Sequence, residues 1–182
     1  MRGPGQRAGL TRTAVLAAAR ELVAEGGAAA LSMRAVARRL HVAPNTLYSH
    51  VADKTDLLDQ LLDDLLGTVP IPAGGDPRTG VEELMTSTYE TLVGHPELVG
   101  LFLARQGARG PNAVRLGEVL DALLDGVGVP DVPDARRVLI IHAIGFAAFD
   151  AGEVLPAGAT AHSFGQSLRW LLDGMTPDRY PA

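Results

Sequence analysis

The 182-residue chain has no cysteine, a single lysine (Lys54) among sixteen basic residues, and only 4% aromatic residues. Without cysteine there is no disulfide framework, no iron–sulfur cluster and no thiolate zinc site. No run of ~20 apolar residues is present, the length a helix needs to span a bilayer. Residues 1–7 (Met1-Arg2-Gly3-Pro4-Gly5-Gln6-Arg7) are followed by no continuous apolar stretch of the signal-peptide type. Gly126-Val127-Gly128 follows no strand and reads as a loop rather than a phosphate fingerprint. The chain also lacks a Gly-x-Ser-x-Gly elbow and a His-Glu-x-x-His pair. His162 and Ser163 are adjacent, and neighbours on a helix point apart, so they form no nucleophile–base pair. His95, His142 and His162 lie on separate segments without an i, i+4 partner, so neither a metal nor a cofactor is expected. Fifteen arginines with abundant Ala, Gly and Pro suggest a GC-rich bacterial genome, and a cytoplasmic location is the expectation.

What is present is 47% hydrophobic residues, enough for a proper core in one or two domains. The net charge of −5 argues, on average, against a nucleic-acid binder, but the charge is unevenly placed. Residues 1–52 hold seven Arg against Glu21 and Glu25, giving 7 − 2 = +5. Residues 53–182 hold nine basic and nineteen acidic residues, giving 9 − 19 = −10. Such asymmetry suggests an anion-binding N-terminus joined to a body with another task.

Helical periodicity dominates, and strand alternation is absent. Thr11 or Leu10 opens a helix whose apolar residues Val15, Leu16, Ala19, Leu22 and Val23 share one face, and Gly26-Gly27 should stop it. Ser32 is the expected N-cap of a helix from Met33 to Leu40, although Ala35 stands where a capping box would place Glu. After His41-Val42-Ala43, Pro44 suits the first turn of a short helix ending near His50. Asp53 caps a fourth helix carried by leucines from Leu57 to Leu66. Beyond the Pro70–Pro77 interruption, five more helices are expected at about 78–94, 97–105, 111–127, 132–154 and 160–175. The breaks between them fall at Gly94-His95-Pro96, Gly107 to Gly110, Gly128-Val129-Pro130 and Leu155-Pro156. The expected fold is all-α, about nine helices, divided into residues 1–67 and 68–182.

Residues 31–51 have the anatomy of a helix-turn-helix. Ala37 is small where two helices must approach, while Val42 and Leu47 are apolar where the turn and second helix meet the core. Asn45, Thr46, Tyr48, Ser49 and His50 remain free, offering the short polar and polar-tipped groups that read base edges and grip phosphates. The competing reading is an ordinary helical core with Arg34, Arg38 and Arg39 as a solvated face. Coincidence of the motif with the electropositive stretch favours DNA binding.

In combination, several segments are highly specific. They are Ala18-Ala19-Arg20-Glu21-Leu22, Gly26-Gly27, Leu31-Ser32-Met33-Arg34-Ala35-Val36-Ala37, Leu40-His41-Val42, Thr46-Leu47-Tyr48-Ser49-His50-Val51, Asp53-Lys54 and Leu57-Leu58. Through them residues 11–66 resemble the DNA-binding domain of the TetR family of bacterial transcriptional regulators. The resemblance implies that Ser32 and Arg34 meet backbone phosphates, and that Pro44, Asn45 and Thr46 face bases or adjacent phosphates. It further implies that Tyr48, His50 and Lys54 hold the phosphate backbone. Most members have Gly at the position of His41, where a positive φ is expected, a conformation His tolerates.

For residues 76–182 the resemblance implies dimerisation and ligand sensing. Ala143, Gly145, Ala147, Ala148 and Ala151, with Phe164, Leu168, Leu171 and Leu172, are the candidate dimer surface, and interior packing explains the same pattern. Trp170 fits either. Candidate ligand contacts are Tyr89, Phe102, His142, Phe146, Phe149 and Asp150; His142, Phe146 and Phe149 share a helical face at i, i+4, i+7 and could line one cavity. The expected function is a homodimeric repressor released from a palindromic double-stranded DNA operator by a small-molecule effector, with no membrane partner. The rivals are control by a protein partner and, more remotely, a helical enzyme.

Overall fold

A computed structural model describes residues 10–105, 110–152, 156 and 158–176. These residues form nine α-helices and no strand. The expected breaks over residues 107–109 and at Leu155, and the expected continuation of a helix over 153 and 154, lie outside the described residues. The chain divides into two compact units, residues 1–61 and 62–182, the division falling within the fourth helix.

In the first unit, α1 (Arg12–Ala30) begins at Thr11, whose side chain accepts from the Ala14 N–H at 3.2 Å. Val15, Leu16, Ala19, Leu22 and Val23 are buried as their spacing requires. Gly26-Gly27 kinks the helix rather than ending it: Gly27 takes φ 64°, and Ala28–Ala30 make one further turn. α2 (Met33–Arg39) starts on the Ser32 side chain, which accepts from the Ala35 N–H at 3.1 Å. α3 is shorter than its sequence suggested, Pro44–Leu47, and residues 48–50 follow as turn. In that turn the His50 and Val51 N–H groups both donate to the Leu47 carbonyl, at 2.9 and 3.0 Å, so a helical course persists. α4 (Lys54–Leu66) is capped by Asp53, whose carboxylate accepts from the Asp56 N–H at 2.8 Å.

In the second unit, α5 (Pro77–Val93) packs against α6 (Pro96–Arg105), α7 (Pro111–Val127), α8 (Val132–Asp150) and α9 (Ala161–Met175). Its buried stripe, Val81, Leu84, Met85, Tyr89 and Leu92, makes it the centre of the layer. Asp131 caps α8, its carboxylate accepting from the Asp134 N–H at 3.0 Å. α8 ends at Asp150, four residues short of the expected 154. Phe164, Leu168 and Leu172 of α9 and Ala143 and Ala147 of α8 are buried within the chain. Of the anticipated dimer surface, these five face their own core. The large exposed apolar residues of the two helices are instead Ile140, Ile141, Phe149 and Trp170.

Candidate nucleic-acid interface and ligand cavity

The link between α2 and α3 decides what the short α3 presents. His41 adopts φ 55° and its N–H donates to the Arg38 carbonyl at 3.2 Å, while the Val42 N–H donates to the Ala37 carbonyl at 3.0 Å. These paired bonds form a Schellman cap, here with His at the position glycine usually fills. Pro44 then occupies the first turn of α3, where its missing N–H is no loss. Leu47 (0% exposed) and Val51 (2%) anchor the segment in the core. With that face committed inward, Pro44, Asn45, Thr46 and Tyr48 are directed outward, Tyr48 at 54% exposure.

The supporting residues surround this face in sequence and state of exposure. Ser32 is exposed; as an N-cap it accepts a bond, so its hydroxyl hydrogen remains available to a phosphate oxygen. Arg34 and Arg38 are exposed. Arg39 is committed internally, donating to Glu21 at 2.9 Å and Glu25 at 2.5 Å, which fastens α2 to α1. The bond from Arg39 holds the Glu25 carboxyl below its ordinary range. Lys54 is exposed and donates one of its three N–H bonds to the Ala28 carbonyl at 3.3 Å. His50 is half-buried, and the Ser49 hydroxyl donates to the Thr46 carbonyl at 2.8 Å rather than outward. All eight residues expected to contact DNA thus lie in the first unit, seven exposed and His50 partly so. A helix start bearing an amide, a hydroxyl and a phenol, flanked by cations, is chemically suited to base edges and phosphate oxygens.

The six expected ligand contacts separate into three places. Tyr89, His142 and Phe146 gather around the buried ring of Phe164: Tyr89 stacks on it at 4.4 Å between centroids, His142 at 4.9 Å, and Phe146 meets it edge-on at 5.6 Å. Asp150 (5% exposed) accepts the Tyr89 hydroxyl and, at 3.0 and 3.2 Å, the hydroxyl and N–H of Thr160. Burial first, and the bond to Asp150 second, raise the Tyr89 phenol above its ordinary range. Burial lowers His142, which lies 3.3 Å from the Ser167 hydroxyl. These rings fill one another's space. Phe149 is 73% exposed, so the expectation that it lines a cavity with His142 and Phe146 fails. Angular spacing placed it correctly around α8, but Phe164 covers only the level of the other two.

Phe102 borders empty space. It lines a cavity of about 210 Å³ with Leu66, Met85, Thr88, Leu116 and Ile144 among its walls. Beside this cavity stands a residue the sequence reading missed. Asp63 (2% exposed) accepts the N–H groups of Asn112 and Ala113 at 3.3 and 2.9 Å, and the Asn112 amide at 3.1 Å. It therefore caps α7, whose own N-cap, Gly110, has no side chain to do so. A Cβ at Gly110 would lie 2.4 Å from the Asp63 carboxyl carbon, so only glycine admits the approach. The signal was an acid inside a leucine run, together with a Gly-Pro-Asn helix start lacking a cap.

The chain also resembles known proteins in sequence and in fold. Residues 15–61 match the family described as "Bacterial regulatory proteins, tetR family". An HTH-type transcriptional regulator of Saccharopolyspora erythraea is 36% identical over 140 residues, covering 75% of this chain and 59% of that protein. The chain thus spans less than two thirds of that regulator's length. The crystal structure of BioQ from Mycobacterium smegmatis matches with a TM-score of 0.78 at 29% identity, covering 91% of this chain and 98% of that one. BioQ has also been crystallised with its natural double-stranded DNA operator (TM-score 0.74, 29% identity, 91% and 98% covered). ActR of Streptomyces coelicolor, crystallised in complex with (S)-DNPA, shares the fold at a TM-score of 0.77 and 24% identity, covering 92% of this chain and 98% of that one. The chain belongs to the TetR family, a family of transcriptional regulators rather than enzymes.

Proposed function

We propose that the chain is a homodimeric DNA-binding repressor that leaves a palindromic operator when a small molecule enters the cavity of its second unit. The observation that carries the DNA assignment is the outward face of Pro44, Asn45, Thr46 and Tyr48, held by buried Leu47 and Val51. That BioQ, at 29% identity over 91% of this chain, was crystallised with a double-stranded DNA operator supports DNA binding as such. Asn45 and Thr46 read bases; Ser32, Arg34, Tyr48, His50 and Lys54 hold phosphates. Pairing of two copies through α8 and α9 accounts for the exposure of Ile141 (63%), Phe149 (73%) and Trp170 (65%). Two-fold pairing calls for a palindrome, with half-sites about 34–36 Å apart. Action on the chromosome places the protein in the cytoplasm, and among the described residues no helix is long and apolar enough to cross a membrane.

The cavity supports a small-molecule effector over a protein one. Leu66, the last residue of α4, lines it, and Lys54 at the other end of the same helix belongs to the reading unit. A ligand that favours a different position of Leu66 weakens DNA binding, and DNA weakens the ligand by the same factor. The test is retardation of fragments from the protein's own promoter region across a salt series. Steep loss of binding with salt is expected, from counterion release at each phosphate contact. Failure to retard any fragment at low salt would remove the DNA assignment.

A further inference from the structure

We infer that the cavity takes an uncharged, largely hydrocarbon ligand of one or two fused rings, carrying at most one hydrogen-bond donor, which it gives to Thr88. The inference rests on reading this cavity as the effector site. Among the described residues that line it, none is ionisable: the walls are Leu, Met, Phe, Ile, Ala and Gly, with Thr88 as the exception. A carboxylate, phosphate or ammonium would meet no counter-charge among these walls, and an ion that gives up water without a partner is strongly disfavoured.

Thr88 sharpens the class further. Its hydroxyl donates to the Leu84 carbonyl, one helical turn back, at 2.8 Å. The hydrogen is therefore engaged, while the oxygen keeps acceptor capacity. A ligand O–H or N–H completes this site; a ligand carbonyl does not, because Thr88 would have to abandon Leu84 to meet it. Size sets the remaining limit. A dry apolar cavity of about 150 Å³ holds benzene, and the 210 Å³ found here extends that to a fused bicycle.

The test uses the full chain and three compounds of one shape: naphthalene, 1-naphthol and 1-naphthoate, titrated by calorimetry. Binding is expected to be tightest for 1-naphthol, about tenfold weaker for naphthalene through loss of one hydrogen bond, and unmeasurable for 1-naphthoate. Thr88→Val should bring 1-naphthol down to naphthalene's affinity and leave naphthalene unchanged. Ala113→Leu, which fills the cavity, should abolish binding of both neutral compounds in a protein whose helicity and unfolding midpoint are retained. The proposal is overturned if 1-naphthoate binds as well as 1-naphthol, if neither neutral compound binds, or if Thr88→Val weakens both neutral compounds alike. Operator release, read by gel shift in parallel, separates the two claims. Neutral compounds that bind without loosening DNA keep the ligand class and remove the cavity from the regulatory reading. Release by the anion instead overturns the class and keeps the regulator.

Discussion

The two units of this chain use their polar groups in opposite ways. In the first, the core consists of aliphatic side chains, and the groups proposed to meet DNA (Asn45, Thr46, Tyr48, Lys54) stand outside it, positioned by caps at Thr11, Ser32 and Asp53. In the second, polar groups are drawn inward: Asp63 and Asp150 are buried carboxylates, each satisfied by donors from elsewhere in the unit. It also holds a cavity whose described walls carry no charge, the effector site proposed above. A protein that grips an invariant polyanion can keep its contacts on one short segment. A cavity for a small apolar molecule has to be assembled from helices far apart in sequence.

If that contrast is correct, removing a buried polar group from the body should disturb folding most. Asp63→Ala strands two N–H groups at the start of α7 and leaves the Asn112 amide without its carboxylate. The expected loss is about 2–4 kcal/mol, since each orphaned buried donor costs roughly 1–3 kcal/mol. Chemical denaturation should show it in the body's transition, and Asp63→Asn, which keeps an acceptor, should lose less. An Asp63→Ala protein as stable as the parent would mean that water satisfies these donors as well as the carboxylate does.

In the reading unit the loss should appear in DNA affinity and leave stability unchanged. Asn45→Ala is expected to weaken the cognate operator by about 1–3 kcal/mol if the amide meets a base edge, with little change on scrambled duplex. Tyr48→Phe and Lys54→Ala should weaken both duplexes alike, because phosphate contacts carry no direct base information. Equal losses on both duplexes from Asn45→Ala would move it to the backbone contacts and leave Thr46 as the reader. Anisotropy titrations at two salt concentrations distinguish these outcomes.

The same contrast explains what the sequence could disclose. The reading unit is built from local rules, namely a cap at Ser32, a break at His41 and a proline at the first turn of α3, and each is visible within a few residues. Even there the length of α3 escaped, because His50 and Val51 keep helical hydrogen bonds to the Leu47 carbonyl without a full further turn. In the body, the helices were legible from their periodicity, whereas the partners of each face were not. His142, Phe146 and Phe149 were read as one surface; the depth at which Phe164 crosses α8 separated them, and no periodicity within α8 encodes that depth. The cavity is harder still, because Thr88 and Leu66 bear no mark of facing empty space.

A smaller effect compares the histidines of the two units. His142 is half-buried among rings, and burial lowers its pKa in the fold. A lowered folded value means that the unfolded chain takes up the proton first. Stability from this site is therefore complete above the unfolded value near 6.5 and declines as pH falls below it. The slope for one proton is at most about 1.4 kcal/mol per pH unit, and partial exposure of the ring reduces it. His142→Phe should flatten the acid limb of unfolding midpoints between pH 7.5 and 5. An unchanged limb would transfer the dependence to the carboxylates.

The smallest effect lies in the link that aims α3. Two helices end in Schellman caps: α7 with Gly128 at φ 84°, and α2 with His41 at φ 55°. The left-handed conformation costs a non-glycine residue about 1–2 kcal/mol, and glycine offsets part of that gain by its greater freedom in the unfolded chain, worth roughly 0.5–1 kcal/mol. His41→Gly should therefore stabilise the reading unit by about 0.5–1 kcal/mol, with the bonds from residues 41 and 42 to Arg38 and Ala37 retained. Operator affinity should not change, because α3 is still anchored by Leu47 and Val51. A stabilised variant that binds DNA less well would instead show that the exposed imidazole touches the operator, adding His41 to the reading surface. No gain in stability would mean that the extra unfolded freedom cancels the relief of strain.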